Sequence, residues 1–212
     1  MQVLSHRGYW KTAEEKNSVA AFERSFRLGF GTETDVRDFN GQLVVSHDPP
    51  LDGALTFDKF LEIYLSFESR GALALNIKAD GLQAALSEAL SKRPVESYFV
   101  FDMSVPDMLG YFKKKLKVFA RQSDLEPDPV CLSEAEGIWL DSMRSEWIRK
   151  EHIEQALSEN KQLCIVSPEL HGRPHEEFWQ KLSDWGFATE SNIMICTDFP
   201  ESAAKLLTVS PN

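Results

Sequence analysis

The stretch LSHRGYWKTAEEKNSVAAF, residues 4–22, begins as one kind of structure and ends as another. A short apolar opening over residues 2–5 reads as a strand, and it stops at His6-Arg7-Gly8. A charged segment follows. From Val19 the apolar residues recur at helical spacing, with Asn17 or Ser18 placed to cap the first turn. Strand, polar turn and helix in that order form one β/α unit.

The same order recurs along the chain. Strands are expected at 2–5, 31–36, 72–78, 98–101, 117–121, 137–140, 163–167 and 192–197. Helices are expected at 19–28, 57–64, 82–90, 106–114, 148–157, 175–185 and 201–207. After Arg121 the pattern weakens, and only a brief helical turn is expected in DLEPDPVCLSEAEG. Apolar strands without clean alternation suit a parallel sheet covered by helices. Eight of them, interleaved with helices, point to a compact (β/α)8 TIM barrel. A doubly wound open sheet is the alternative. Without an internal repeat or a linker, the expected organisation is a single domain over residues 1–212. In DFNGQLVVSHDPP, residues 38–50, Asn40-Gly41 is a two-residue turn signal. It predicts a small β-hairpin excursion after the second strand, carrying His47 and Asp48.

With 212 residues, 42% hydrophobic and 26% charged, the chain can bury one substantial core. Its 23 Lys+Arg against 33 Asp+Glu give a net charge of −10, which argues against nucleic acid or an anionic membrane surface as partner. Cys131, Cys164 and Cys196 are unpaired in spacing and read as reduced thiols. No window has the length of a membrane span and no signal peptide is evident, so the expected location is the cytoplasm. Trp147, Trp179 and Trp185 are compatible with a dimer as well as a monomer.

In a β/α barrel the chemistry sits at the C-terminal ends of the strands. The polar residues there are His6 and Arg7, Glu33 and Asp35, His47 and Asp48 from the hairpin, Asn76 and Lys78, Asp102, Asp141, then Glu169, His171 and Arg173, and Asp198. Single carboxylates at such places often cap helices, and Asp141 and Asp198 can be read so. Glu33 and Asp35 resist that reading. As residues i and i+2 of one strand they share a face, and two like charges so close call for a cation or a proton. An all-oxygen site suits Mg2+ or Ca2+. Histidine titrates near neutrality, so His6 and His47 are the natural acid–base pair for cleaving a phosphodiester, with Arg7 and Lys78 holding phosphate oxygens.

These residues carry a pattern. His6-Arg7-Gly8, Asn17-Ser18-Val19-Ala20-Ala21-Phe22, Glu33-Thr34-Asp35-Val36 and Leu43-Val44-Val45-Ser46-His47-Asp48 resemble, in order and spacing, the motifs of the glycerophosphodiester phosphodiesterase family. The match is close over roughly the first fifty residues. It is looser at LNIKAD, similar to the family's third-strand E-x-K element, and at ICTDFP, similar to its closing TD-x-P. The resemblance implies a (β/α)8 barrel, a divalent metal (Mg2+ or Ca2+), a place in lipid metabolism, and hydrolysis of a small-molecule phosphodiester bearing a glycerol-like alcohol. It makes His6 and His47 the catalytic histidines, Arg7 a phosphate contact, Glu33 and Asp35 metal ligands, and Lys78 the third-strand lysine.

Two departures bear on substrate and metal. Asn76 stands where the family has its third acidic ligand, which withdraws a negative charge that Asp102 is the candidate to restore. Lys16 stands where the family has a glutamate before Asn17. Glu169, His171 and Arg173 replace an aromatic stretch and could read a sugar or a second phosphate. The expected function is a metal-dependent phosphodiesterase using histidine acid–base catalysis on a glycerophosphodiester-like or sugar- or alcohol-linked phosphodiester. The alternative is a non-catalytic or weakly active barrel that binds a phosphorylated ligand. An amidohydrolase-type metal barrel is disfavoured, because His6 stands without the H-x-H partner of that class.

Overall fold

The computed structural model describes residues 1–207. Its chain forms two compact units: His6–Val118, and Met1–Ser5 together with the chain from Phe119 onward.

The first unit holds β2 (Gly31–Phe39), β3 (Gln42–Val45), β4 (Leu73–Ile77) and β5 (Tyr98–Phe101). Its helices are α1 (Val19–Arg27), α2 (Phe57–Leu65), α3 (Gln83–Ser91) and α4 (Val105–Lys113). β2 pairs in parallel with β4, and β4 with β5, with Asp35 opposite Asn76 and Asn76 opposite Phe101. α1 starts where Ser18 Oγ accepts the Ala21 amide, and α2 where Thr56 Oγ1 accepts that of Lys59. Their inner faces meet through Phe22, Phe26, Phe60 and Tyr64, with Phe22 edge-on to Phe60 at 4.7 Å between ring centres.

The hairpin comes from local chemistry. Asn40 and Gly41 both adopt positive φ, 50° and 78°, the conformation of a type I′ turn. That turn lets β2 run to Phe39, beyond the expected end at Val36, because residues 36–39 gain β3 as an antiparallel partner.

The second unit contains β1 (Gln2–His6, whose last residue belongs to the first unit), β6 (Phe119–Ser123), β7 (Gly137–Asp141), β8 (Gln162–Val166) and β9 (Ile193–Thr197). α5 (Lys150–Ser158), α6 (Glu176–Asp184) and α7 (Pro200–Leu207) accompany them. All its strand pairings are parallel, in the order β1-β9-β8-β7-β6. β6 begins two residues later than expected. Its ladder to β7 can start only at Phe119 opposite Gly137, the first residue of β7, and Val118 makes a single bridge to Val100 instead. The segment after β6 forms one turn, closed by the Ala135 amide on the Cys131 carbonyl. Eight parallel strands alternating with helices make this a (β/α)8 barrel, with β3 the one antiparallel addition among the described residues.

Candidate active site

The sequence Glu33-Thr34-Asp35 places two carboxylates on one face of β2, 2% and 0% exposed. Burial, and then the Asp35 charge, raise Glu33 from the ordinary carboxylate range to about 7, against the opposing pull of His6, Arg7 and Lys78.

Arg7 reaches the pair from the end of β1. Its amide donates to the Glu33 carbonyl and to Glu33 Oε2, and its Nε lies 3.2 Å from Asp35 Oδ2 as an ion pair whose N–H is not aimed at the oxygen. His6 Nε2 is 4.0 Å from Glu33 Oε2. From β4, Asn76 Nδ2 donates to Glu33 Oε1 at 3.2 Å. Just beyond that strand, Lys78 Nζ lies 3.6 Å from Asp35 Oδ1 and 3.5 Å from Asp102 Oδ2. The structure therefore brings His6, Arg7, Glu33, Asp35, Asn76 and Lys78 together, and Asp102 joins them through Lys78.

Arg7, Asn17 and Asp102 all hold positive φ, 58°, 59° and 68°, although none is glycine. Such conformations persist only where surrounding contacts fix them. For Arg7 and Asn17 those contacts are mutual: the Asn17 amide donates to the Arg7 carbonyl at 2.9 Å. Asn17 Nδ2 then donates to Asp35 Oδ2 at 2.8 Å, and Thr34 Oγ1 donates to Asn17 Oδ1. Asn17 thus braces the acidic pair while Ser18 does the capping, a division between the two candidates that their sequence left open.

Gly8, φ 80°, serves packing. A Cβ there would lie 2.8 Å from Ala21 Cβ on α1, and its amide donates to Thr32 Oγ1.

His47 lines a cleft of about 560 Å3 whose wall also includes Arg7, Lys16, Asn17, Ser46 and Asp48. Its Nδ1 pairs with Asp48 Oδ1 at 2.9 Å and its carbonyl accepts Arg37 Nε–H. Glu15 does not take the place of the acid missing at position 16. It is held by Arg24 and by the Lys11 amide.

Glu169, His171 and Arg173 belong to the second unit, where each is engaged. Glu169 accepts from Ser167 and Thr197 hydroxyls and from the Asp198 amide at 3.1 Å. His171 Nε2 meets Asp141 Oδ1 at 2.7 Å, and burial outweighs that contact to keep the Asp141 carboxyl above its ordinary range. Arg173 donates to the carbonyls of Ser142 and Met143. Asp141 is thus a histidine partner, not a helix cap.

Among the described residues no group of three or more His, Cys, Asp or Glu side chains is arranged to hold a metal ion. The reason is local, since the position beside Glu33 and Asp35 is an asparagine and Asp102 faces Lys78. The donor set nevertheless fits a hard cation. Asp35 Oδ1 and Asn76 Oδ1 are buried oxygens with no hydrogen-bond donor, and oxygen ligands are what Mg2+ and Ca2+ take.

Solved structures with the same arrangement of strands and helices are known. A protein of Galdieria sulphuraria assigned to the glycerophosphodiester phosphodiesterases matches with a TM-score of 0.77 at 15% identity, over 98% of each chain. The glycerophosphodiester phosphodiesterase of Agrobacterium tumefaciens gives 0.73 at 18% identity, over 97% of this chain and 99% of that one. The chain shares their fold. A Ca2+-dependent phosphatidylinositol-specific phospholipase C of Streptomyces antibioticus gives 0.56 at 12% identity, over 98% and 96%. No protein-family model and no curated protein matches the chain in sequence. Among the described residues, no helix is long and apolar enough to cross a membrane.

Proposed function

We propose that the chain is a divergent, metal-dependent phosphodiesterase of the glycerophosphodiester phosphodiesterase type, acting as one barrel domain over residues 1–212 on a small phosphodiester with a glycerol-like or other alcohol. The observation that carries this reading is the convergence of His6, Arg7 and Lys78 on the buried Glu33–Asp35 pair, beside two buried oxygens that lack donors. The shared fold supports it, since its bearers include proteins named for phosphodiester cleavage.

In this reading Glu33, Asp35 and Asn76 hold Mg2+ or Ca2+, which when bound supplies positive charge against a phosphate oxygen. The chain's own groups do the rest. Arg7 and Lys78 bind the remaining phosphate oxygens, Arg7 through its planar fork and Lys78 as a point charge. Asp102 keeps Lys78 in place. One of His6 and His47 takes the proton from the attacking hydroxyl, of water or of the substrate itself, and the other gives a proton to the leaving alkoxide. Glu33 lies 4.0 Å from His6 Nε2, and Asp48 fixes one ring nitrogen of His47.

Turnover of glycerophospho-alcohols and sugar-linked phosphodiesters, with and without Mg2+, Ca2+ and Mn2+, tests the reading. His6→Ala and His47→Ala are each expected to lose about 10²–10⁴-fold in kcat. Unchanged turnover in both variants would end the mechanism. Asn76 favours a second reading, a barrel that binds a phosphorylated ligand without cleaving it, because its amide puts a donor where the family has a third acid. Ligand binding by calorimetry with no turnover under any cation would select that reading.

A further inference from the structure

Lys16 sits between two fixed points. Before it lies the short helical turn Ala13–Glu15, tied down by Arg24 through Glu15, and after it lies Asn17, bonded to Asp35. The lysine is thus set one residue from a brace of the acidic pair, and it forms part of the cleft wall. Its Nζ lies 4.5 Å from the centre of the Trp10 ring, a cation–π contact that restricts the long side chain. Trp10 is itself anchored, because its Nε1–H donates to the His6 carbonyl at 3.1 Å.

The neighbouring cations are engaged. Arg7 pairs with Asp35, Lys78 with Asp35 and Asp102, and Arg24 with Glu15. The acids of the cleft wall do not reach Lys16 either: Asp48 is joined to His47, and Asp52 is exposed. Lys16 has no carboxylate partner among the described residues, and its N–H groups that do not face Trp10 are free to donate.

The ammonium of a half-buried lysine, held on an aromatic face without a carboxylate partner in a molecule of net charge −10, is suited to receive an anion. The phosphodiester itself already has Arg7 and Lys78. We propose that Lys16 sets specificity by receiving a second anionic group of the substrate, a phosphate or carboxylate on the alcohol beside the scissile phosphodiester. The assignment rests on the phosphodiesterase reading and adds the substrate class.

Two pairs of compounds test it, each differing by one anionic group: glycerophosphoinositol against glycerophosphoinositol 4-phosphate, and glycerophosphoethanolamine against glycerophosphoserine. The wild-type chain is expected to prefer the more anionic member of at least one pair by about tenfold in kcat/KM, mainly through KM, the worth of one charge-assisted hydrogen bond. The pair that shows it tells phosphate from carboxylate. Lys16→Ala should abolish the preference, Lys16→Glu should invert it, and Lys16→Arg should keep it. Equal kcat/KM within both pairs, or a preference that survives Lys16→Ala, overturns the assignment and leaves the phosphodiesterase reading standing. If no compound is cleaved, that reading falls, and calorimetry with the same compounds decides for Lys16. Binding of the more anionic member about tenfold tighter, lost in Lys16→Ala, upholds the site. Equal affinity, or no binding, overturns it.

Discussion

Glu33 shows what a single buried residue does to the molecule. Its folded value near 7 stands well above the ordinary carboxylate value of 4.5, so the folded chain holds this proton more tightly than the unfolded one. The stability it lends is full below about pH 4.5 and is lost as pH rises through 7, where an ionised Glu33 must face Asp35. In the presence of EDTA, wild type should melt lower at pH 8 than at pH 6, whereas Glu33→Gln should show a flatter profile. The gap between them should widen with pH by a few degrees, at about 2–4 °C per kcal/mol for a chain of this length. Differential scanning calorimetry measures it, and a gap independent of pH contradicts the assignment. The pairing of Glu33 with Asp35 was legible in the sequence because strand periodicity alone puts i and i+2 on one face. The role of Asn17 was not legible. Whether its amide caps α1 or braces Asp35 depends on the left-handed turn at Arg7, a contact across 18 residues that no local pattern encodes.

At the level of elements, two glycines with similar φ separate conformational from packing demands. Gly41, φ 78°, has no atom within 4 Å of an added Cβ, so Gly41→Ala meets only backbone strain, about 1 kcal/mol. Gly8, φ 80°, adds a collision with the backbone and side chain of Ala21, so Gly8→Ala should lose about 2–3 kcal/mol. Urea denaturation compares the two variants directly. Equal losses would mean that α1 yields freely, in which case His6 and Arg7 are not held by its packing. The hairpin was readable in advance because Asn-Gly specifies its own turn. The start of β6 was not, since it is set by a partner strand, β7, that begins at Gly137. Lys117 and Val118 have strand-like character but only one bridge to use it on.

On the scale of the whole molecule, charge and cleft oppose each other. At low ionic strength, about 0.01 M, the Debye length of ~30 Å lets the net charge of −10 repel an anionic substrate. At about 0.15 M the length falls to ~8 Å, and Arg7, Lys16 and Lys78 act almost alone. kcat/KM for a glycerophosphodiester should therefore rise with added NaCl over that range, measured at fixed divalent cation. A fall would mean that the cleft already dominates the long-range field. Finally, the two buried oxygens without donors, on Asp35 and Asn76, have a meaning beyond ligand binding. The Asn76 oxygen, left unsatisfied, costs about 1–3 kcal/mol in a class of molecules whose whole margin is about 5–15 kcal/mol, and the Asp35 oxygen is offset only by the Lys78 charge 3.6 Å away. A sequence selected for folding alone would put apolar side chains there. Keeping polar ones marks a trade of thermal robustness for use, placed on two neighbouring strands, β2 and β4, where Asp35 stands opposite Asn76.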